Sequence, residues 1–88
     1  MNSAQDIVFG QNLNQIDHAF RYTDALGLER ANVMDAIRGD LQPHLPLQTP
    51  PPDNAPTVGS VTVNGIELGY HAYPVNKGLV NVGSITPP

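Results

Sequence analysis

The residues most able to do chemistry are gathered in one short run, His18-Ala19-Phe20-Arg21-Tyr22. On a helix, His18, Arg21 and Tyr22 stand at i, i+3 and i+4 and share a face. An imidazole can take and return a proton near neutral pH. A guanidinium stabilises the charge that builds on a phosphorane-like transition state. A phenol can position the same phosphate. Together they suit phosphodiester cleavage. The plainer reading is a solvated helix face on which Arg21 pairs with Asp17 or Asp24.

A second group falls on the last third of the chain. His71, Tyr73, Asn81 and Glu67 alternate onto the outer face of an expected sheet, where aromatic and imidazole rings can stack bases. Tyr73, Asn81 and Lys77 are the candidate substrate-binding residues. The plainer reading is a half-exposed sheet face of good strand formers. On the final strand, Gly83 allows close approach of a ligand, and Ser84 and Thr86 offer hydroxyls. Spacing fixes no base beside either hydroxyl, so it supports no serine triad. His44 sits alone in a proline-rich stretch and reads as simply exposed.

These residues need elements to hold them. From Gly10 to Leu26 the apolar residues Leu13, Ile16 and Phe20, with Thr23 and Leu26, recur every three or four positions and predict one amphipathic helix. Asn12 or Asn14 is its expected cap and Gly27 its stop. Ile7, Val8 and Phe9 ahead of it read as an edge strand or an anchor. A second helix is expected from Arg30 to Arg38, ended by Gly39, with Val33, Met34, Ile37 and Leu41 on its apolar face and Leu28 stapled against it.

Residues 42–57 change character. Six prolines in this stretch, from Pro43 to Pro56, remove amide donors and fix φ, so an extended connector without regular structure is expected. It is also expected to tolerate shortening. Residues 58–88 predict a meander. Asn64-Gly65 is a strong two-residue hairpin turn, placing Val63 opposite Ile66 and Val61 opposite Leu68. Val61, Val63, Ile66, Leu68, Tyr70 and Ala72 then cover the Ile16–Phe20 stripe. Val80 and Val82 join them if the turn at Asn76-Lys77-Gly78 has three residues. The fold class expected is therefore α+β: a single domain, residues 1–88, with N-terminal helices (1–41) packed on a C-terminal three-stranded antiparallel sheet.

Composition sets limits. A chain of 88 residues buries only roughly 60–65% of its unfolded surface. It has no cysteine, which excludes disulfides, thiolate metal ligands and a cysteine nucleophile. Its histidines are not at ligand spacing, so no metal and no cofactor is expected. No apolar run approaches the ~20 residues that span a membrane, and Met1-Asn2-Ser3-Ala4-Gln5-Asp6 has neither the basic region nor the apolar core of a signal peptide. Net charge is −4, with only Arg21, Arg30, Arg38 and Lys77 basic. Phosphate-gripping proteins usually carry a basic surplus, and this chain does not.

Two stretches resemble a known family. Asp6-Ile7-Val8-Phe9-Gly10, Asn14-Gln15-Ile16-Asp17-His18-Ala19-Phe20-Arg21 and Asp24-Ala25-Leu26-Gly27-Leu28, together with Tyr70-His71-Ala72-Tyr73 and Val80-Asn81-Val82-Gly83-Ser84-Ile85, are similar to a C-terminal toxin domain of bacterial polymorphic and contact-dependent inhibition systems. The resemblance covers both ends of the chain and skips the proline connector. It implies a helix-plus-sheet nuclease similar to barnase-like and RelE-like ribonucleases, cutting RNA, often tRNA, without a metal. It implies carriage at the tip of a larger exported protein, action in the cytoplasm of a target cell, and a dedicated immunity protein as partner. The site it implies is catalytic His18, Arg21, His71, Tyr22 and Thr86. Tyr22 stands where such domains carry a second histidine, and Thr86 where they carry a more polar group. His71 is then the candidate for the missing imidazole.

Two other readings compete. The acidic charge favours a non-catalytic interaction module or inactive toxin relative. The helix–Gly27–helix outline has the shape of a helix-turn-helix DNA binder, but its second helix offers DNA only Arg30 and Arg38. A cleft joining His18, Arg21 and His71 favours catalysis, and their separation favours binding.

Overall fold

The computed structural model describes residues 5–88, so Met1–Ala4, which carry most of the leader-peptide reading, lie outside the described residues. The chain runs β1 (Asp6–Val8), α1 (Leu13–Ala19), α2 (Arg21–Ala25), α3 (Arg30–Leu41), β2 (Thr57–Val63), β3 (Ile66–Asn76) and β4 (Leu79–Thr86). The sheet has four strands in the order β1-β4-β3-β2. β2, β3 and β4 are antiparallel neighbours, and β1 pairs parallel with β4, Ile7 opposite Val80. The expected three-stranded antiparallel sheet is thus a four-stranded mixed one. A strand of three residues has no room to display a period of two, and its partner lies more than seventy positions away.

The C-terminal meander otherwise follows its pattern. Asn64 and Gly65 hold positive φ, 52° and 79°, as a twist-matched two-residue turn requires. Val63 pairs with Ile66 and Val61 with Leu68. Leu68, Tyr70 and Ala72 are buried, while Glu67, His71 and Tyr73 are exposed. The second turn is tighter than expected, with Lys77 and Gly78 between Asn76 and its partner Leu79. A bulge at Val75 supplies the parity that a third loop residue would have given, so Pro74 faces Val80 and Ala72 faces Val82. A second bulge at Gly83 brings Ile85 opposite Tyr70. Val80, Val82 and Ile85 are all buried. Each bulge places two residues opposite one and so shifts the alternation.

The N-terminal half departs further. The expected helix from Gly10 to Leu26 is two helices, broken at Phe20 (φ −97°, ψ 4°). The Thr23 hydroxyl donates to the Phe20 carbonyl at 3.1 Å, a local bond that competes with the helical ladder. Phe20 and Thr23 are buried as expected, but Leu13 and Leu26 are exposed. Asn12 caps α1, its side chain accepting from the Gln15 amide at 2.9 Å. The third helix runs on through Gly39 to Leu41, and Val33, Ile37 and Leu41 are fully buried. The tertiary contact of Leu41 outweighs the ~1 kcal/mol that an interior glycine costs. Leu28 is buried ahead of it as a staple residue should be.

The layers pair differently than expected. β2 lies against α3, whereas α1 and α2 lie on β4, so the hairpin does not cover the Ile16–Phe20 stripe. The connector is also not structureless. It forms a 3-10 turn at Gln42–His44 and a tight turn at Pro52–Asn54 in which Asp53 and Asn54 hold positive φ, 57° and 54°, and Leu45 and Leu47 pack on the core. Buried Gln5 accepts from the Leu47 amide (2.7 Å) and donates toward the Leu47 and Asn76 carbonyls (3.4 and 3.2 Å). The Tyr73 hydroxyl donates to the Asn54 carbonyl at 2.8 Å. The prolines remove donors, but the remaining polar groups find partners in the body of the domain.

Candidate functional site

A cleft with a carboxamide-rich lining lies where α1 meets β4. It encloses about 320 Å³ and is lined by Gly10, Gln11, Asn14, Gln15, His18, Asn81 and Gly83. Gly10 makes the turn from β1 into α1 with φ +105°, and a Cβ there would sit 2.6 Å from the Ile16 amide nitrogen. Only glycine allows that approach. The Gly10 amide donates to Asn81 Oδ1 at 2.8 Å. This bond ties the start of the helical segment to β4 and leaves the Asn81 NH2 group free to turn toward Gly83, whose Cβ position is 3.6 Å from Asn81 Nδ2. Gly83 is the bulged residue, so no side chain closes that side.

The side chains of this lining are one imidazole and the carboxamides of Gln11, Asn14, Gln15 and Asn81. No carboxylate is among them, although the chain has eight. Three of the eight are engaged elsewhere. Asp17 and Asp24 hold Arg30 at 3.2 and 2.6 Å. The Arg30 hydrogen bond draws the Asp24 carboxyl below its ordinary value, and Asp24 in turn raises the guanidinium. Arg30, not Arg21, is therefore the partner of both. Asp40 accepts from the Tyr70 hydroxyl at 2.6 Å. His18 is exposed and makes no hydrogen bond to another described side chain, so either ring nitrogen is open to a substrate.

The other candidates do not converge there. Arg21 and Tyr22 belong to α2, beyond the break at Phe20, and Tyr22 packs half-buried on the core. His71 and Thr86 share a separate cleft on the outer sheet face with Gly69, Pro87 and Pro88. The Thr86 hydroxyl donates to the Pro87 carbonyl. Tyr73 is engaged with Asn54. Lys77 lines a third cleft with Gln5, Pro46, Leu47 and Thr49. Of the predicted site, then, His18 and Asn81 meet, and His71 and Thr86 meet, but the two pairs share no cleft. The predicted His18–Arg21–Tyr22 face is divided between two helices.

Two features escaped the spacing argument. Gln11, Asn14 and Gln15 line the His18 cleft because α1 starts at Leu13, and only Gly10 and the Asn12 cap hinted at that start. His71 Nδ1 lies 3.2 Å from Ser84 Oγ, a cross-strand pair created by the Gly83 bulge. Among the described residues, no three of His, Cys, Asp and Glu are grouped closely enough to hold a metal, and no described helix is long and apolar enough to cross a membrane. Compared with protein-family models, with curated proteins and with solved structures, the chain has no match.

Proposed function

We propose that the chain is an RNase-type toxin domain whose RNA site is the cleft between α1 and β4, with His18 as its acid–base residue. One observation carries this reading: an exposed imidazole faces four carboxamides and no carboxylate, in a chain of net charge −4. Such a lining presents no carboxylate to repel a phosphate. The resemblance of the Asn14–Arg21 segment to toxin domains supports the same residue.

In this reaction His18 draws the proton from a ribose 2′-hydroxyl, whose oxygen attacks the adjacent phosphorus. The 5′-oxygen leaves with a proton from the imidazolium or from water, and a 2′,3′-cyclic phosphate remains. The Asn81 NH2 group and the amides of Asn14 and Gln15 donate to the phosphate oxygens or to a base edge. Arg21, Tyr22, His71 and Thr86 have no part in this site. Carriage on a larger exported protein and neutralisation by an immunity protein follow from the resemblance and belong to the same proposal. The test incubates the protein with total RNA, with and without a chelator, and identifies the product ends. Chelator-resistant cleavage leaving cyclic phosphate is expected.

A second reading is a non-catalytic interaction module. The separation of His18, Arg21 and His71 favours it, as does the acidic charge. Binding of RNA or of a protein without any cleavage would establish it in place of the first.

A further inference from the structure

β1 is an edge strand, and its outer side is unusual. The Asp6 amide donates to the Gly78 carbonyl at 2.9 Å. In a parallel ladder alternate residues bond to alternate sides, so Ile7, between Asp6 and Val8, turns its N–H and C=O away from β4. No strand lies there, and no described residue bonds to either group. The Ile7 side chain belongs to the core, and unpaired N–H and C=O groups along a strand edge are a template for a further strand.

A groove runs along that edge. Two clefts of about 450 Å³ each meet at Ile7, Val8 and Arg38. One continues over Phe9, Ile16, Phe20 and Met34 and is largely apolar. Its cations are Arg30 and Arg38, two of the four basic residues of the chain. Arg30 lies 5.1 Å over the Phe20 ring and is held by two aspartates. Arg38 lies 5.2 Å over the Phe9 ring and has no carboxylate within ion-pair distance among the described residues. Asp6 also lines the groove, but it alternates to the opposite face of the strand from Ile7.

We propose that this groove docks an extended segment of a partner protein, which adds to the sheet as a fifth strand beside β1. The segment is alternately apolar and acidic. Its backbone pairs with Ile7, an apolar side chain enters between Phe9, Ile16 and Met34, and a carboxylate binds Arg38. Strand addition takes affinity from the main chain and specificity from alternate side chains. The requirement for acid comes from Arg38, an uncompensated guanidinium in an otherwise acidic molecule.

The probe is a fluorescein-labelled ten-residue peptide of alternating valine and glutamate, followed by anisotropy. Saturable binding is expected. R38Q and R38E should weaken it by about 10-fold or more, the usual loss for a hydrogen bond to a charged group. K77E makes the same change in net charge as R38E at a residue that lines neither cleft of the groove and should shift binding by no more than about 2-fold, a screened effect. A peptide N-methylated at alternate amides keeps its side chains and loses its donors. It should bind about as weakly as the R38Q pair, and it tests the strand pairing without altering the protein. Equal binding of a valine–lysine peptide, equal effects of R38E and K77E, or no saturation at about 1 mM would each overturn the proposal. So would sedimentation showing a dimer that the peptide cannot compete, because a second copy would then occupy the edge.

Discussion

Gly59 and Tyr70 show how one residue can be fixed by another. They are cross-strand partners, and the Tyr70 ring lies over Gly59 so closely that a Cβ would fall 2.5 Å from its atoms. Gly59→Ala should therefore destabilise the fold by about 1–3 kcal/mol, the usual cost of overpacking, visible as a lower chemical-denaturation midpoint. His18 is the opposite case. It is exposed and bonded to no described side chain, so His18→Ala should change stability by no more than about 0.5 kcal/mol. Asn81→Ala removes the acceptor of the Gly10 amide and should cost about 1 kcal/mol as well as disturbing the cleft. His18 was legible in the sequence because an imidazole among polar helix residues stands out. Its meeting with Asn81 was not, because it depends on a parallel strand and on a bond joining residues 10 and 81.

At the scale of elements, the hairpin and its buried face could be read directly, because turn chemistry and alternation agreed. The break at Phe20 could not, because a helix-period pattern continues across it and only the Thr23 hydroxyl reveals it. The connector misled for a related reason: proline count speaks to donors, not to packing. Gln5→Ala should leave the Leu47 amide without its acceptor and cost about 1–3 kcal/mol. Hydrogen exchange should then show faster opening of the Leu45–Leu47 segment than in the wild type. Tyr70 links β3 to α3 through Asp40. Burial first, and the Asp40 bond second, raise its ionisation above the ordinary value of 10.0. A raised native value means that its stabilising contribution is full below about pH 10 and is lost as pH rises beyond it. The difference in thermal midpoint between wild type and Tyr70→Phe should thus be widest near neutrality and narrow above about pH 10.

For the whole molecule, charge decides how much the architecture can do. A net charge of −4 repels RNA at long range, so any RNA contact must be local and salt-sensitive. The α1–β4 cleft presents no carboxylate to oppose such contact. The α+β class was readable from composition and pattern, but the mixed sheet was not, and with it went the placement of the site. A three-stranded meander would have left His71 as the natural partner of His18. The fourth strand instead anchors α1 beside Asn81 and leaves His71 in a different cleft. The most direct measurement compares RNA cleavage by His18→Ala and His71→Ala under one set of conditions, with folding of each checked by thermal midpoint. Loss of about 10²–10⁴-fold in rate for His18→Ala, with His71→Ala close to wild type, is the expected result. Full activity in a folded His18→Ala protein would contradict the assignment of the α1–β4 cleft.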